Sequence, residues 1–252
     1  MKTYLVGLSI MALCLISGSF RGEWFVQNRA AGPSPVPILL YHSVSGDKSN
    51  PLMIEPTRFE EQMNYLKNEG YHSITFKEMQ EGWYNGRPLP PKPIIITFDD
   101  GYEDNYTAAY PILLKTGMKA TIFAVTGSIG SPGRLTWNQL HTMESSGLID
   151  TQSHTVTHTN LTKVSDKEKM KELVDSKNEI LHKLGHSADV LAYPYGFYDR
   201  RSVDAVQKAG YQLAVITEPG AAEVKQGRFL LHRILITGDL LLDQFKAALT
   251  AP

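Results

Sequence analysis

The amino-acid sequence predicts an α/β fold whose parallel sheet rolls into a closed or nearly closed barrel. Three observations point there. About seven short β-branched runs alternate with helix-period segments over roughly 215 residues, a count that suits a barrel better than an open doubly wound sheet. No glycine-rich phosphate loop follows any run, so the nucleotide-binding sheets of the same class lack their fingerprint. Two aspartates and two histidines follow directly on apolar runs, where a barrel gathers its functional side chains.

Along the chain, the apolar stretch from Tyr4 to Ile16, with Lys2 before it and Ser17 and Ser19 behind, reads as a signal peptide or membrane anchor over residues 1–19. It falls short of the ~20 residues of a membrane helix, which favours a cleaved export signal. Cys14 is the single cysteine, and Leu13 before it speaks against a lipoprotein, so the exported part has no thiol for disulfides or metal. Residues 20–36 are expected as a linker, ending in the Pro-, Gly- and Ala-rich QNRAAGPSPVP, and residues 37–252 as one folded domain.

Within that domain Val36 to Tyr41 reads as the first strand. A capping box at Thr57 and Glu60 predicts a helix with Phe59, Met63 and Leu66 on one face, stopped by Gly70. Apolar runs predict strands near 72–76 and 94–98, followed by a helix near 105–116, a strand at 120–125, a helix near 136–146 and a strand at 149–153. Ser165 and Glu168 open a long helix carrying Met170, Leu173, Ile180, Leu181 and Leu184 and ending at Gly185. A strand at 190–193, a helix at 199–209, strands at 212–217 and 230–236 and a helix at 239–249 complete the series.

Composition narrows the function. With 252 residues, 42% hydrophobic and 20% charged, the chain can bury a core and is neither disordered nor fibrous. Lys+Arg 25 against Asp+Glu 26 gives a net charge of −1 with no basic stripe, so nucleic acid is not an expected partner.

The sharpest local signal is TFDDGY, residues 97–102. Two adjacent carboxylates at the end of a buried strand repel each other and cost desolvation unless a cation neutralises them. The alternative is that Asp99 and Asp100 only begin a turn with Gly101. In SHTVTH, His154 and His158 are four apart, which on one helical turn would face both imidazoles to one divalent ion; Thr155 excludes the zinc-protease motif. Two surface histidines are the alternative. Taken together, two imidazoles and one carboxylate make a three-ligand site with an open position, leaving the second aspartate as general base. AYPYGFYD, residues 192–199, follows another strand. Pro194 and Gly196 force an irregular backbone whose Tyr195 amide could stabilise an oxyanion, and Tyr193, Tyr195, Phe197 and Tyr198 offer faces for sugar rings or for packing over the barrel end.

TFDDGY, His-x3-His and PYG in this order resemble the polysaccharide deacetylases of carbohydrate esterase family 4, over roughly residues 37–240. The resemblance implies a distorted (β/α)7 barrel, similar to a TIM barrel, and metal-dependent removal of N-acetyl groups from amino sugars. It makes Asp99 the general base and Asp100, His154 and His158 the ligands of a divalent metal, with Zn2+ the expected ion. Two departures stand out: Leu191-Ala192-Tyr193-Pro194 lacks the arginine that usually precedes PYG, and no Asp-x-x-Asp-Trp segment follows. Both are similar to the branch acting on biofilm poly-β-1,6-N-acetylglucosamine, which implies His42 as the catalytic acid. The usual position would be His232.

Strand direction favours His42, at the C-terminal end of its strand, over His232, near the start of strand 230–236 and so expected at the far mouth. Arg233 is expected in a structural ion pair, with partnership to Asp99 as the alternative. The reading is an N-deacetylase of a secreted or cell-surface protein, its partner an amino-sugar polysaccharide of biofilm or cell wall, touching a membrane only through the N-terminal segment. Peptidoglycan or chitin-oligosaccharide deacetylation, or a non-catalytic wall-polymer binding module, are the alternatives.

Overall fold

The structure, a computed structural model, describes residues 33–47 and 49–250. The expected export segment, Cys14 and most of the expected linker therefore lie outside the described residues. Among the described residues no helix is long and apolar enough to cross a membrane.

Ten strands are described: β1 (Ile38–Tyr41), β2 (Ser43–Val44), β3 (Met53–Ile54), β4 (His72–Ser73), β5 (Pro93–Asp99), β6 (Ala120–Ala124), β7 (Ile149–Ser153), β8 (Val190–Ala192), β9 (Leu213–Val215) and β10 (Ile234–Leu235). Seven of them form a parallel sheet in the order β10-β1-β5-β6-β7-β8-β9, β4 pairs with the start of β5, and β2 pairs with β3 apart. The sheet curls into an open half-barrel. One isolated parallel pairing, Val215 with Leu231, reaches across from β9 towards β10. The helices are α1 (Pro56–Asn68), α2 (Phe76–Tyr84), α3 (Tyr110–Thr116), α4 (Trp137–Ser145), α5 (Asp166–Leu184), α6 (Arg200–Lys208) and α7 (Leu242–Thr250).

Alternation along β5 explains where the chemistry goes. Ile94, Ile96 and Phe98 pack with Phe59, Met63 and Leu66 of α1 on the outer face. Ile95 lies on the opposite face with Ile38, Phe123, Val190 and Leu213, and the period of two puts Thr97 and Asp99 there as well. A carboxylate thus enters the barrel mouth on a strand held by hydrophobic burial on both sides.

Several expected elements differ. α1 begins at Pro56 with Glu55 as a cap that makes no side-chain cap bond, so the Thr57–Glu60 box is not formed; proline's fixed φ starts the helix instead. The expected strand 72–76 is only two residues long, because Thr75 and Glu78 form a capping box that opens α2, a helix absent from the sequence expectation. The helix near 105–116 starts as a π-helical turn, Asn105–Ala109, before α3. Val36, at the end of the expected linker, is fully buried and pairs with Ala222. The expected strand 230–236 reduces to β10, since Leu231 turns aside to Val215.

Candidate metal centre and active site

Side chains of adjacent strand residues point to opposite faces, so Asp99 and Asp100 should not share a site. Asp100 adopts φ 72° and Gly101 φ 69°, and this left-handed turn swings Asp100 back over the mouth that Asp99 faces. The same device recurs around it: Thr155 (φ 67°), His158 (φ 58°) and Tyr195 (φ 61°) are also left-handed. For a β-branched threonine this is a costly conformation, and its concentration here marks a functional site.

His154 and His158 are brought together, but not by a helical turn. Residues 154–160 form an irregular loop beyond β7, and the left-handed Thr155 and His158 fold it so that the rings lie 4.7 Å apart edge to face. His154 Nδ1 lies 2.7 Å from the Ala192 carbonyl, to which it must donate. That bond fixes the tautomer and leaves the Nε2 lone pair facing Asp100 Oδ1 at 3.7 Å. Burial lowers the pKa of His154 against the raising effect of Asp99 and Asp100, which favours the neutral ligand form. His158 Nε2 lies 3.5 Å from the same oxygen. The donor atoms of Asp100, His154 and His158 all fall within 4.8 Å of one another. Two imidazole nitrogens and one carboxylate oxygen suit a divalent ion with positions left for water and substrate.

Asp99 is nearly fully buried, and Arg233, fully buried, meets it as a fork: Nη1 to Oδ1 and Nη2 to Oδ2, both at 2.8 Å. Burial raises the Asp99 pKa, but the Arg233 charge, then His154, the Arg233 hydrogen bonds and His42 outweigh it and pull it down to about 2. The structural pair expected for Arg233 and its alternative role as partner of Asp99 are therefore one contact. The arginine missing before PYG is supplied from the other end of the domain. Arg233 Nε also donates to the Ile216 carbonyl, which anchors the fork.

His42, one residue beyond β1, lies close enough to Asp99, Asp100, Arg233 and His154 to feel their charges. Burial is the largest effect and lowers its pKa. His232 is not at the far mouth, as strand direction suggested, because Leu231 pairs with Val215 at the C-terminal end of β9. It stays out of the centre because Arg233 turns inward and its neighbour turns away, to Glu218 Oε2 at 3.4 Å and the Pro219 carbonyl at 3.3 Å.

In the PYG turn Tyr195 forms no backbone hydrogen bond through its amide among the described residues. Its ring packs 4.4 Å from that of His158 and is 57% exposed, with Phe197, 56% exposed, 6.1 Å beyond. Tyr193 is fully buried, so it is a packing residue and not a sugar platform. Sequence reasoning missed Asp104 and Asn105, whose hydrogen bonds run to the segment around His42. Their place directly after DDG was the available signal.

Comparison with known proteins agrees with this geometry. Residues 86–214 match the family described as Polysaccharide deacetylase. The chain is 40% identical over 215 residues to YxkH of Bacillus subtilis (strain 168), provisionally named a polysaccharide deacetylase, covering 85% of this chain and 76% of that one. It is 28% identical over 213 residues to a poly-β-1,6-N-acetyl-D-glucosamine N-deacetylase of Staphylococcus aureus (strain MRSA252), covering 79% and 73%. The solved structure of Streptococcus pyogenes deacetylase PplD in complex with acetate superposes with a TM-score of 0.83 at 30% identity, over 87% of this chain and 100% of that one. With the fold, the donor set and the relatives in accord, the chain belongs to the polysaccharide deacetylases of carbohydrate esterase family 4 and is a metal-dependent hydrolase of amide bonds.

Proposed function

We propose that this protein removes acetyl groups from N-acetylglucosamine units of an extracellular polysaccharide, with poly-β-1,6-N-acetylglucosamine as the substrate. The observation that supports it best is the convergence of Asp100, His154 and His158 beside an arginine-clamped Asp99. The named activity of the Staphylococcus aureus relative supports the choice of polymer.

Asp100, His154 and His158 would hold a divalent ion, zinc in this reading, which when bound polarises the acyl oxygen and acidifies a water. Asp99 accepts the proton of the attacking water. The Tyr195 amide donates to the acyl oxygen as negative charge gathers on it. His42 gives a proton to the sugar nitrogen as the C–N bond breaks, so that acetate and a free amino sugar leave. A second reading is favoured by one observation: Arg233 holds both oxygens of Asp99 and keeps its pKa at about 2, which makes it a weak proton acceptor. In that reading the neutral His42 takes the water proton and then passes it to the nitrogen. The tyrosine and phenylalanine faces at 195 and 197 would carry the neighbouring sugar rings.

The export segment at 1–19, a linker from residue 20, and a catalytic domain that takes in the buried Val36 and runs to 252 belong to the same proposal, since the polymer lies outside the cell. Acetate release from β-1,6-linked oligomers, chitin oligomers and peptidoglycan, measured side by side with zinc supplied, tests it. The β-1,6 oligomers should be the best substrate. Preference for chitin oligomers or peptidoglycan would move the assignment to that polymer, and no release from any would sink it.

A further inference from the structure

His42 sits in a break of the sheet: β1 ends at Tyr41 and β2 begins at Ser43. Its Nδ1 is buried and has no hydrogen-bond partner among the described residues, so that nitrogen does not anchor the ring. The backbone sets its position: on the N-terminal side Tyr41 is held by the pairing of β1 with β5, beside Phe98, and the C-terminal side is gripped by one two-residue unit. Asn105 Nδ2 donates to the His42 carbonyl at 2.8 Å. The Val44 amide donates to Asp104 Oδ1 at 2.9 Å, and Ser43 Oγ donates to Asp104 Oδ2 at 2.5 Å. Asn105 is 1% exposed and its Oδ1 is buried without a partner, so the carboxamide is not there to satisfy itself. Flipping it would set two oxygens against each other.

The grip depends on the backbone that follows the aspartates. The chain does not enter an α-helix after Gly101 but makes the π-helical turn Asn105–Ala109, closed by the Tyr110 amide on the Asn105 carbonyl. Such wide turns are frequent at functional sites. Here it presents Asp104 and Asn105 to the β1–β2 segment while Asp99 and Asp100, a few residues earlier, face the mouth.

We propose that Asp104 and Asn105 are positioning residues for the reaction, clamping the backbone at 42–44 so that the His42 ring is held against the metal centre. The proposal rests on the reading of His42 as the group that protonates the leaving nitrogen. Neither residue meets the substrate. They act on the amide reaction through His42 alone, since a poor leaving group such as an amine needs a well-placed proton and a phenolate does not.

The test uses the zinc-loaded protein with two substrates, an N-acetylglucosamine oligomer and 4-nitrophenyl acetate, and the variants His42→Ala, Asp104→Ala, Asp104→Asn and the double variant His42→Ala/Asp104→Ala. Asp104→Ala should lose about 10–100-fold in kcat on the oligomer, the scale of a misplaced catalytic group, with zinc content intact. It should spare the ester to the extent that His42→Ala does. Asp104→Asn should recover most of the loss, because its Oδ1 still accepts from Val44 and its Nδ2 can donate to Ser43 Oγ. In the His42→Ala background, Asp104→Ala should cost nothing further. Should Asp104→Ala fail to fold, Ser43→Ala removes one of the same bonds and should give a smaller loss with the same selectivity. An Asp104 loss that persists undiminished without His42, or that falls equally on both substrates while His42→Ala does not, overturns the clamp. If His42→Ala itself leaves oligomer hydrolysis intact, the reading of His42 is what fails.

Discussion

Asp99 gives up its hydration when β5 carries it into the barrel, and the guanidinium of Arg233 offsets that loss through two parallel hydrogen bonds. Removing the cation should hurt more than the pair itself contributes. Arg233→Met is expected to lose about 3–5 kcal/mol in urea unfolding, the cost of stranding a buried charge, and Asp99→Asn is destabilising too because it leaves the buried Arg233 cation without its counter-charge. The two aspartates should also separate by function. Asp99→Asn should keep its zinc and lose roughly 10²–10⁴ in turnover as a general base, while Asp100→Asn should lose zinc in metal analysis. Like behaviour of the two variants would end the division of roles. The pH profile adds a third check. Asp99, pulled down to about 2, stays ionised through the accessible range, so the expected bell has no acid limb from this residue. A proton donor fails as pH rises through its pKa. Burial lowers that of His42, so the descending limb of kcat/KM should lie below 6.5 and vanish in His42→Ala.

At the level of elements, the turns between strands and helices do the aiming. Gly196 (φ 72°) leaves no room for a side chain: a Cβ there would run into the Thr217 side chain. Gly196→Ala should therefore displace the Tyr195 amide and cut turnover by more than about tenfold with zinc still bound, the scale of losing an oxyanion donor. Unchanged turnover would remove that amide from the mechanism. These turns were also the least legible part of the chain. TFDDGY, SHTVTH and PYG gave the chemistry because strand ends and residue types are visible in one dimension. The left-handed Asp100, Thr155 and His158 were not, and the four-residue histidine spacing suggested a helix for a loop that reaches the same result differently. α2 was missed although Thr75 and Glu78 announce it, because Ile74 and Phe76 fit an alternating pattern equally well over so short a run.

Across the whole molecule, the fold class was legible from the alternation of elements, but the Asp99–Arg233 contact, 134 residues apart, was not favoured over a merely structural pair. The opposite end of the sheet from the active site sets the response to pH. Burial raises the Asp150 pKa to about 6, and the hydrogen bond that His186 Nε2 donates to the Glu144 carboxylate raises that of His186 to about 9. Each contributes stability that is complete below its ordinary value and is lost as pH rises through the shifted one. Asp150→Asn should therefore be up to about 3 kcal/mol more stable than the parent at pH 8 and no different near pH 3, read by urea unfolding at both. Equal curves at pH 8 would refute the shift. The sheet also joins its first and last strands: β1 pairs with β10, Leu39 beside Ile234 and Leu40 beside Leu235. In the order of synthesis, then, the cation that neutralises Asp99 is among the last parts of the barrel to be made. A chain cut short before Arg233 carries every metal donor but lacks the cation that offsets the burial of Asp99, so the last strand brings what that carboxylate needs to be buried in its charged form.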